Sequence, residues 1–275
     1  MPGFHPGELA VQRRAGVEAA AARLTGMLAP ADLRGRLGLF LAGRTYAAMS
    51  ARDAAGRLWV SPLTGDEGFL RVAGPTTLEI GAAPGRGDPL RGLPDGQAVG
   101  LLVIEYAARR RARINGRLVS AEPDRLVLEA TEAYGNCPQY IPPRPLRLSP
   151  PAGEDPPEVR QALTEPDLRL VGSVDTAVLG TSHPDRGNDA SHRGGSPGFL
   201  RAESPGRLVW DDLPGNQMFN SLGNLAADPA AALLVVDPTS GRPLHVSGRA
   251  EVRWDVSGSP TGRQVVLEVE AVVSR

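Results

Sequence analysis

The sequence predicts a mainly β protein (α+β) built as two tandem small β-barrels, with short helices and an N-terminal helix. Three observations predict it. Short apolar runs rich in Val, Leu and Ile recur through residues 45–273, each bounded by Gly, Pro, Asp or Asn. These runs repeat in the same order in the two halves of the chain. A Pro-rich connector, SPPAGEDPP at 149–157, lies between the halves.

The repeat is read from three ordered matches. GFLR stands at Gly68–Arg71 and again at Gly198–Arg201. LLV recurs at 101 and 233, with Gly-Arg pairs following at Gly116-Arg117 and Gly248-Arg249. VLEA at 127 matches VLEV at 266. The offsets are 130, 132 and 139, so small loop changes account for the drift. The expected organisation is a helical segment at 1–34, a first barrel at 35–148, a linker with a short helix at 149–164, and a second barrel at 165–275.

Each element has its own signal. Glu8–Met27 carries Ala, Val and Leu at helical spacing, which predicts one helix, and a short helix follows at 31–41. Strands are expected at Thr45–Ser50, Arg57–Pro62, Gly68–Val72, Ala98–Tyr106 and Arg125–Ala130. A helix is expected at 157–164, started by Pro157 and Glu158. The second half repeats the strands at 175–181, 198–202, 207–211, 231–237, 243–254 and 263–273, with a short helix at Asn220–Leu225. Asp53–Gly56 and Ser240–Gly241 read as hairpin turns. Closure into barrels would leave no long strand edge exposed.

Composition narrows the chemistry. The chain has 275 residues, and its 30 basic residues are all arginine. Without lysine there is no Schiff-base enzymology and no lysine-bearing phosphate loop. A net charge of −1 does not fit a general nucleic-acid binder. Cys137 is the only cysteine, so an intrachain disulfide and a cysteine zinc site are excluded, and a cytoplasmic location is expected. The longest apolar stretch, Ala230–Val236, is too short for a membrane-spanning helix.

Several segments together resemble the FMN-binding split-barrel superfamily, the pyridoxamine 5′-phosphate oxidase-like fold. They are His192-Arg193 with Gly198–Arg201, the strand Gly206–Trp210, the loop and helix start Pro214–Leu225, and Asp228-Pro229 with Ala232–Val236. YGNCPQYI at 134–141 is similar to a motif of a long-chain tandem subgroup. The resemblance implies two split barrels and a flavin, FMN or alternatively deazaflavin as in a deazaflavin-dependent reductase; a non-catalytic module that binds flavin or haem is a further alternative. It implies an oxidoreductase acting on a small-molecule substrate or an electron-transfer partner, with a homodimer as one arrangement. It also implies that the first half, which lacks the His-Arg pair and the Asn-Ser loop, stands in for a second subunit.

The residues of the third segment make sense on their own. Asn216, Asn220 and Ser221 at a helix start offer donors to a phosphate, beside unbonded backbone N–H groups. Arg193 and Arg201 could neutralise it, with Arg201 standing where the family's strand carries lysine. Met218 and Phe219 would pack near the ring, and His192 would contact flavin or substrate. Cys137 would line the site from the first half. No residue stands out as a catalytic acid or base.

Competing motifs read as structural. Gly194–Gly198 matches a nucleophile elbow around Ser196, but Pro197 removes the N–H that an oxyanion hole needs, so a Gly-rich turn is expected. His183, Asp185, Asp189 and His192 read as a polar loop rather than a metal site. His5 and His245 read as surface or strand residues. The run Arg109, Arg110, Arg111, Arg113 and Arg117 reads as a solvated hairpin.

Overall fold

A computed structural model of the chain describes residues 3–135, 139–143, 148 and 158–274. The expected site residue Cys137 and the Pro-rich stretch at 149–157 lie outside them. The fold is mainly β, two tandem split β-barrels with few short helices. Each half contributes one seven-stranded antiparallel sheet.

The first sheet holds β1 (Tyr46–Arg52), β2 (Leu58–Thr64), β3 (Leu70–Val72), β4 (Thr77–Ile80), β5 (Ala98–Glu105), β6 (Arg110–Ala121) and β7 (Leu126–Gly135), in the order β2-β1-β5-β6-β7-β4-β3. The second holds β8 (Thr176–His183), β9 (Gly187–Gly194), β10 (Leu200–Ser204), β11 (Arg207–Asp211), β12 (Ala230–Val236), β13 (Pro243–Arg253) and β14 (Gln264–Ser274). Its order, β10-β11-β14-β13-β12-β8-β9, is the first order with every strand replaced by its repeat partner.

The bulges repeat too. The β6–β7 register shifts between Asn115 and Gly116, and the β13–β14 register between Ser247 and Gly248. A Cβ on Gly116 would lie 2.0 Å from the Glu129 carbonyl oxygen, and one on Gly248 2.0 Å from that of Glu268. Only glycine fits at both bulges, which explains why the Gly-Arg pairs survive in both halves.

The strand expectations understated the sheets. β4 stands where no strand is expected, and β6 and most of β9 stand where a solvated hairpin and a polar loop are expected. β6 and β9 carry polar side chains that meet the other half or α5, not solvent. Arg113 and Asn115 of β6 and Asp189, Ser191 and His192 of β9 are all buried. A polar strand inside a protein looks like a loop to any reading based on apolar alternation.

The helices also differ. The expected helix Glu8–Met27 is broken into α1 (Pro6–Arg14), α2 (Glu18–Ala22) and a 3-10 turn at Thr25–Leu28. Gly16, with φ of 69°, leaves the helical region. The third helix, α3, spans Arg36–Ala42. The helix expected at 157–164 starts later: α4 is Glu165–Ser173, capped by Thr164 and Asp167 in a capping box with Pro166 in its first turn. Arg160 instead bridges Val272 in β form. α5 (Asn220–Ala227) forms where expected. Among the described residues no helix is long and apolar enough to cross a membrane.

Three apolar clusters hold the fold. One fills the first barrel around Met49, Trp59 and Leu101. A second fills the other barrel around Leu179, Trp210 and Leu233. The third, with Ala48, Val60 and Leu102 from one half and Val178, Ala190 and Leu234 from the other, seals the seam. At that seam a Cβ on Gly100 would lie 2.5 Å from the Asp189 Cα, so the backbones of β5 and β9 touch.

Candidate functional site

One end of the seam opens into a cavity of about 350 Å3. β6 supplies Arg111 and Arg113, β9 supplies His192 and Arg193, and the first turn of α5 supplies Asn220 and Ser221. The loop between β11 and α5 (212–219) and Thr261 with Arg263 complete the rim, and Tyr140 reaches in from the first half. Both halves therefore build this cavity. The size is that of a pocket for a small organic ligand.

Strand periodicity places the charges. On β9, Asp189, Ser191 and Arg193 share one side of the strand. Asp189 accepts from Arg113 Nη1 at 3.1 Å and from Ser221 Oγ at 3.4 Å, and Ser191 Oγ meets Ser221 Oγ at 2.9 Å. Arg113 is thus paired. Arg193 makes no ion pair within 4 Å among the described residues: its one side-chain hydrogen bond among them goes to the adjacent His192 carbonyl at 3.0 Å, and Asp212 and Asp189 act on it only from farther off. Burial and the neighbouring Arg113 lower its pKa to about 10. A walled-in cation that no carboxylate contacts attracts an anion.

His192 lies on the opposite side of β9. Its Nδ1 accepts from Arg111 Nη1 at 2.8 Å, so the proton of the neutral ring sits on Nε2, 2.8 Å from Thr176 Oγ1. Burial, then Arg111, holds its pKa well below the ordinary histidine value. His192 is a neutral, fully bonded imidazole.

The backbone supplies further donors. Phe219, at the N-cap of α5, is left-handed (φ 61°), and no side chain caps the helix. A left-handed residue followed by a helical one turns successive N–H groups toward one point, forming an anion-binding concavity. The first intrahelical bond is Gly223 N–H to the Phe219 carbonyl at 2.7 Å, leaving the amides of residues 220–222 without intrahelical partners. Gln217 is also left-handed, at φ 64°. Such strain clusters where a loop is shaped around a ligand. Two buried donors, Arg113 Nε and Trp210 Nε1, lack hydrogen-bond partners among the described residues.

The structure brings together His192, Arg193, Asn216, Phe219, Asn220 and Ser221, all of which line the cavity. Their side chains do not all face a ligand. Asn216 Oδ1 accepts from Met218 N–H at 3.2 Å, and Asn220 Nδ2 donates to Glu8. Met218 is fully buried, with its carbonyl bonded to Gln12 at 3.0 Å. Arg201 is not brought in. It is not in the cavity lining and stands exposed on edge strand β10, 3.5 Å from Asp211.

No family model matches the chain, and no curated protein matches it. Among solved structures, a candidate pyridoxamine 5′-phosphate oxidase from Lactobacillus delbrueckii is similar at 20% identity, covering 41% of this chain and 94% of that one, with a TM-score of 0.35. HupZ of Group A Streptococcus is similar at 13% identity, covering 41% and 93%, with a TM-score of 0.34. An F420 reductase is similar at 18% identity, covering 38% and 90%, with a TM-score of 0.28. Two further neighbours, from Clostridium acetobutylicum and Corynebacterium glutamicum, also carry pyridoxine- or pyridoxamine-phosphate oxidase names. The chemistry of the site rests on its own geometry.

Sequence reasoning missed Arg111, Arg113, Asp189 and Arg263. Arg111 and Arg113 are spaced i, i+2 within the arginine run, the one signal that they share a strand face. The run is only partly a solvated hairpin: Arg109 and Arg110 are exposed at the β5–β6 turn and Arg117 beyond it, but Arg113 is 8% exposed. Arg263 lies between the Phe219 and Trp254 rings, at 4.9 and 5.8 Å, and pairs with Asp212 at 2.9 Å. The expected polar loop at 183–192 is β8 running into β9, and among the described residues it gathers no metal-ligand cluster. Ser196 is exposed in the turn after β9.

The matching place in the first half is filled. By the repeat, Pro62 and Leu63 stand where His192 and Arg193 stand, and Leu63 is core. The loop after β4 carries Leu90 and Leu93 inward, and Asp88 accepts from Ser61.

Proposed function

We propose that this chain is a flavoprotein that holds FMN by its phosphate in the seam cavity and acts as an oxidoreductase on a small molecule or an electron-transfer partner. The observation that carries this reading is Arg193, a cation that no carboxylate contacts among the described residues, beside the uncapped start of α5. A phosphate dianion meets both needs, taking a bidentate guanidinium and the amides of the first helical turn.

The residues fit the whole group. Arg193 and the Phe219–Leu222 backbone would hold the phosphate, and Ser221 Oγ would donate to it on turning from Ser191. Phe199, Trp210 and Phe219 provide apolar surface for a ring system, and Trp210 Nε1 is a donor without a partner. Bound flavin would supply the hydride or electron chemistry. The protein binds, orients and excludes water. His192 keeps Arg111 in place as an acceptor.

A deazaflavin with a phosphate would satisfy the same cradle. A haem reading would need an axial ligand; His192 is poorly placed for that, since both its nitrogens are already bonded, and Tyr140 is the other ligand type in the lining among the described residues. The expected setting is the cytoplasm.

The test is an absorption spectrum of the purified chain and its titration with FMN and riboflavin. FMN should bind far more tightly than riboflavin, because the phosphate carries the affinity. A colourless protein that binds neither ends the flavin reading. Equal affinities end the phosphate assignment.

A further inference from the structure

A buried carboxyl lies behind the first turn of α5. Glu8 of α1 is 4% exposed. One of its oxygens accepts from Asn220 Nδ2 at 2.5 Å, and the other from the His5 N–H at 2.7 Å. Asn220 is the first residue of α5 and lines the cavity on that turn. α1 is pressed onto α5 so closely that a Cβ on Gly7 would lie 2.3 Å from the Gly223 carbonyl oxygen. Gln12, one turn on, donates to the Met218 carbonyl at 3.0 Å. The segment that ends in Phe219 is therefore fixed from behind by α1.

The geometry points to Glu8 as a proton-linked positioning residue: it holds the first turn of α5 and takes up a proton when an anion binds on the other side of that turn. The inference rests on the anion cradle of the proposed reading and not on the flavin.

The groups around Glu8 support it. His5 on α1 is neutral near pH 7, since its Nδ1 accepts from the Gly7 and Glu8 amides and its Nε2 meets Asn224 Oδ1 at 3.1 Å. His183 of β8 stacks on His5 at 4.2 Å. Glu132 and Tyr134 of β7, Asn115 of β6, Arg186 of the β8–β9 turn and Asp189 of β9 line the same small cavity. Arg186 pairs with Glu132 at 3.5 Å, and among the described residues no arginine is in ion-pair contact with Glu8, although the Arg186 charge partly offsets its burial. Burial raises the Glu8 carboxyl to about 7. Ionised Glu8 and a bound anion would share the positive end of one short helix, and each disfavours the other. By linkage, anion binding raises the affinity of Glu8 for its proton, and the proton raises the affinity for the anion equally.

The test uses inorganic sulfate on the full chain, an anion that does not titrate near neutral pH. Carboxyl carbon NMR of Glu8 reads the linkage directly and needs no variant. The Glu8 midpoint should move upward with saturating sulfate. Sulfate should bind about fivefold more weakly at pH about 8.5 than at about 6.5, and Glu8→Gln should remove most of that difference while Arg193→Ala removes the binding. A midpoint that sulfate does not move, a pH dependence that survives in Glu8→Gln, or sulfate binding that survives in Arg193→Ala overturns the inference. So does a chain that binds no sulfate. If sulfate shifts Glu8 but FMN does not bind, the flavin reading fails and this inference stands.

Discussion

Arg113 of the first half and Asp189 of the second form a buried ion pair across the seam, with 3.1 Å between Nη1 and Oδ2. Each is less than a tenth exposed. The pair ties the cavity wall to Ser221 on α5, since Asp189 also accepts from that hydroxyl. Removing one partner leaves the other charge buried and unpaired, which costs about 3–5 kcal/mol. Asp189→Asn should therefore lower stability by an amount of that order in urea unfolding, and Arg113→Met with Asp189→Leu together should lose much less. Equal losses in the single and double variants would show that the pair is not coupled.

Arg193 and Arg201 were equivalent candidates in the sequence, and the structure separates them. Arg193→Ala should weaken FMN binding by about 10- to 100-fold, the worth of a charge-assisted hydrogen bond. It should not destabilise the free protein, because it removes a walled-in charge that no carboxylate contacts. Arg201→Ala, at an exposed ion pair, should change both stability and affinity within about 0.5 kcal/mol. Flavin fluorescence titration and thermal melting of the two variants check this, and similar affinities in both would relocate the phosphate.

Acid should act through His5. Burial, then His183, lowers its pKa from 6.5 to about 4. The unfolded chain takes up that proton below pH 6.5 and the folded chain does not, so His5 contributes stability above that pH and loses it as pH falls toward 4. The loss is about 3 kcal/mol across that window. Glu8 has the opposite sign: its raised pKa contributes stability at acid pH that is lost as pH rises through about 7. His5→Asn keeps an N-cap acceptor and should flatten the acid limb measured by urea unfolding. An unchanged limb would assign acid sensitivity elsewhere, with buried His192 the next candidate.

The seam itself can be tested at Gly100. Its added Cβ would press on the Asp189 backbone at 2.5 Å, with no flexible side chain to yield. Gly100→Ala should cost at least about 2 kcal/mol and loosen the cavity wall. Gly135→Ala, whose nearest contact is 4.0 Å away, serves as the control in thermal melting.

Much of this was legible in the chain. The duplication was visible in GFLR, LLV and the Gly-Arg pairs because the strands and bulges they encode recur in both sheets. α5 was placed by Asn220–Leu225, and Arg193 and Ser221 were singled out from neighbouring segments. Arg111, Arg113 and Asp189 were read as solvent-facing, because a buried polar strand has the local pattern of an exposed one. The α1 helix was read as an appendage, although Glu8 and Gln12 grip the α5 segment from more than 200 residues away.

The sequence by itself determined the two-fold repeat, the β class, the all-arginine cation set and the helix start at Asn220. Those depend on local periodicity, glycine geometry and residue identity, which the chain carries along its length. The tertiary structure alone decided which arginines are paired, which half holds the cavity and which carboxyl lies behind the helix. Charge pairing and burial depend on partners brought together from both halves, and Leu63 and Arg193 differ in fate because one barrel filled the place that the other left open.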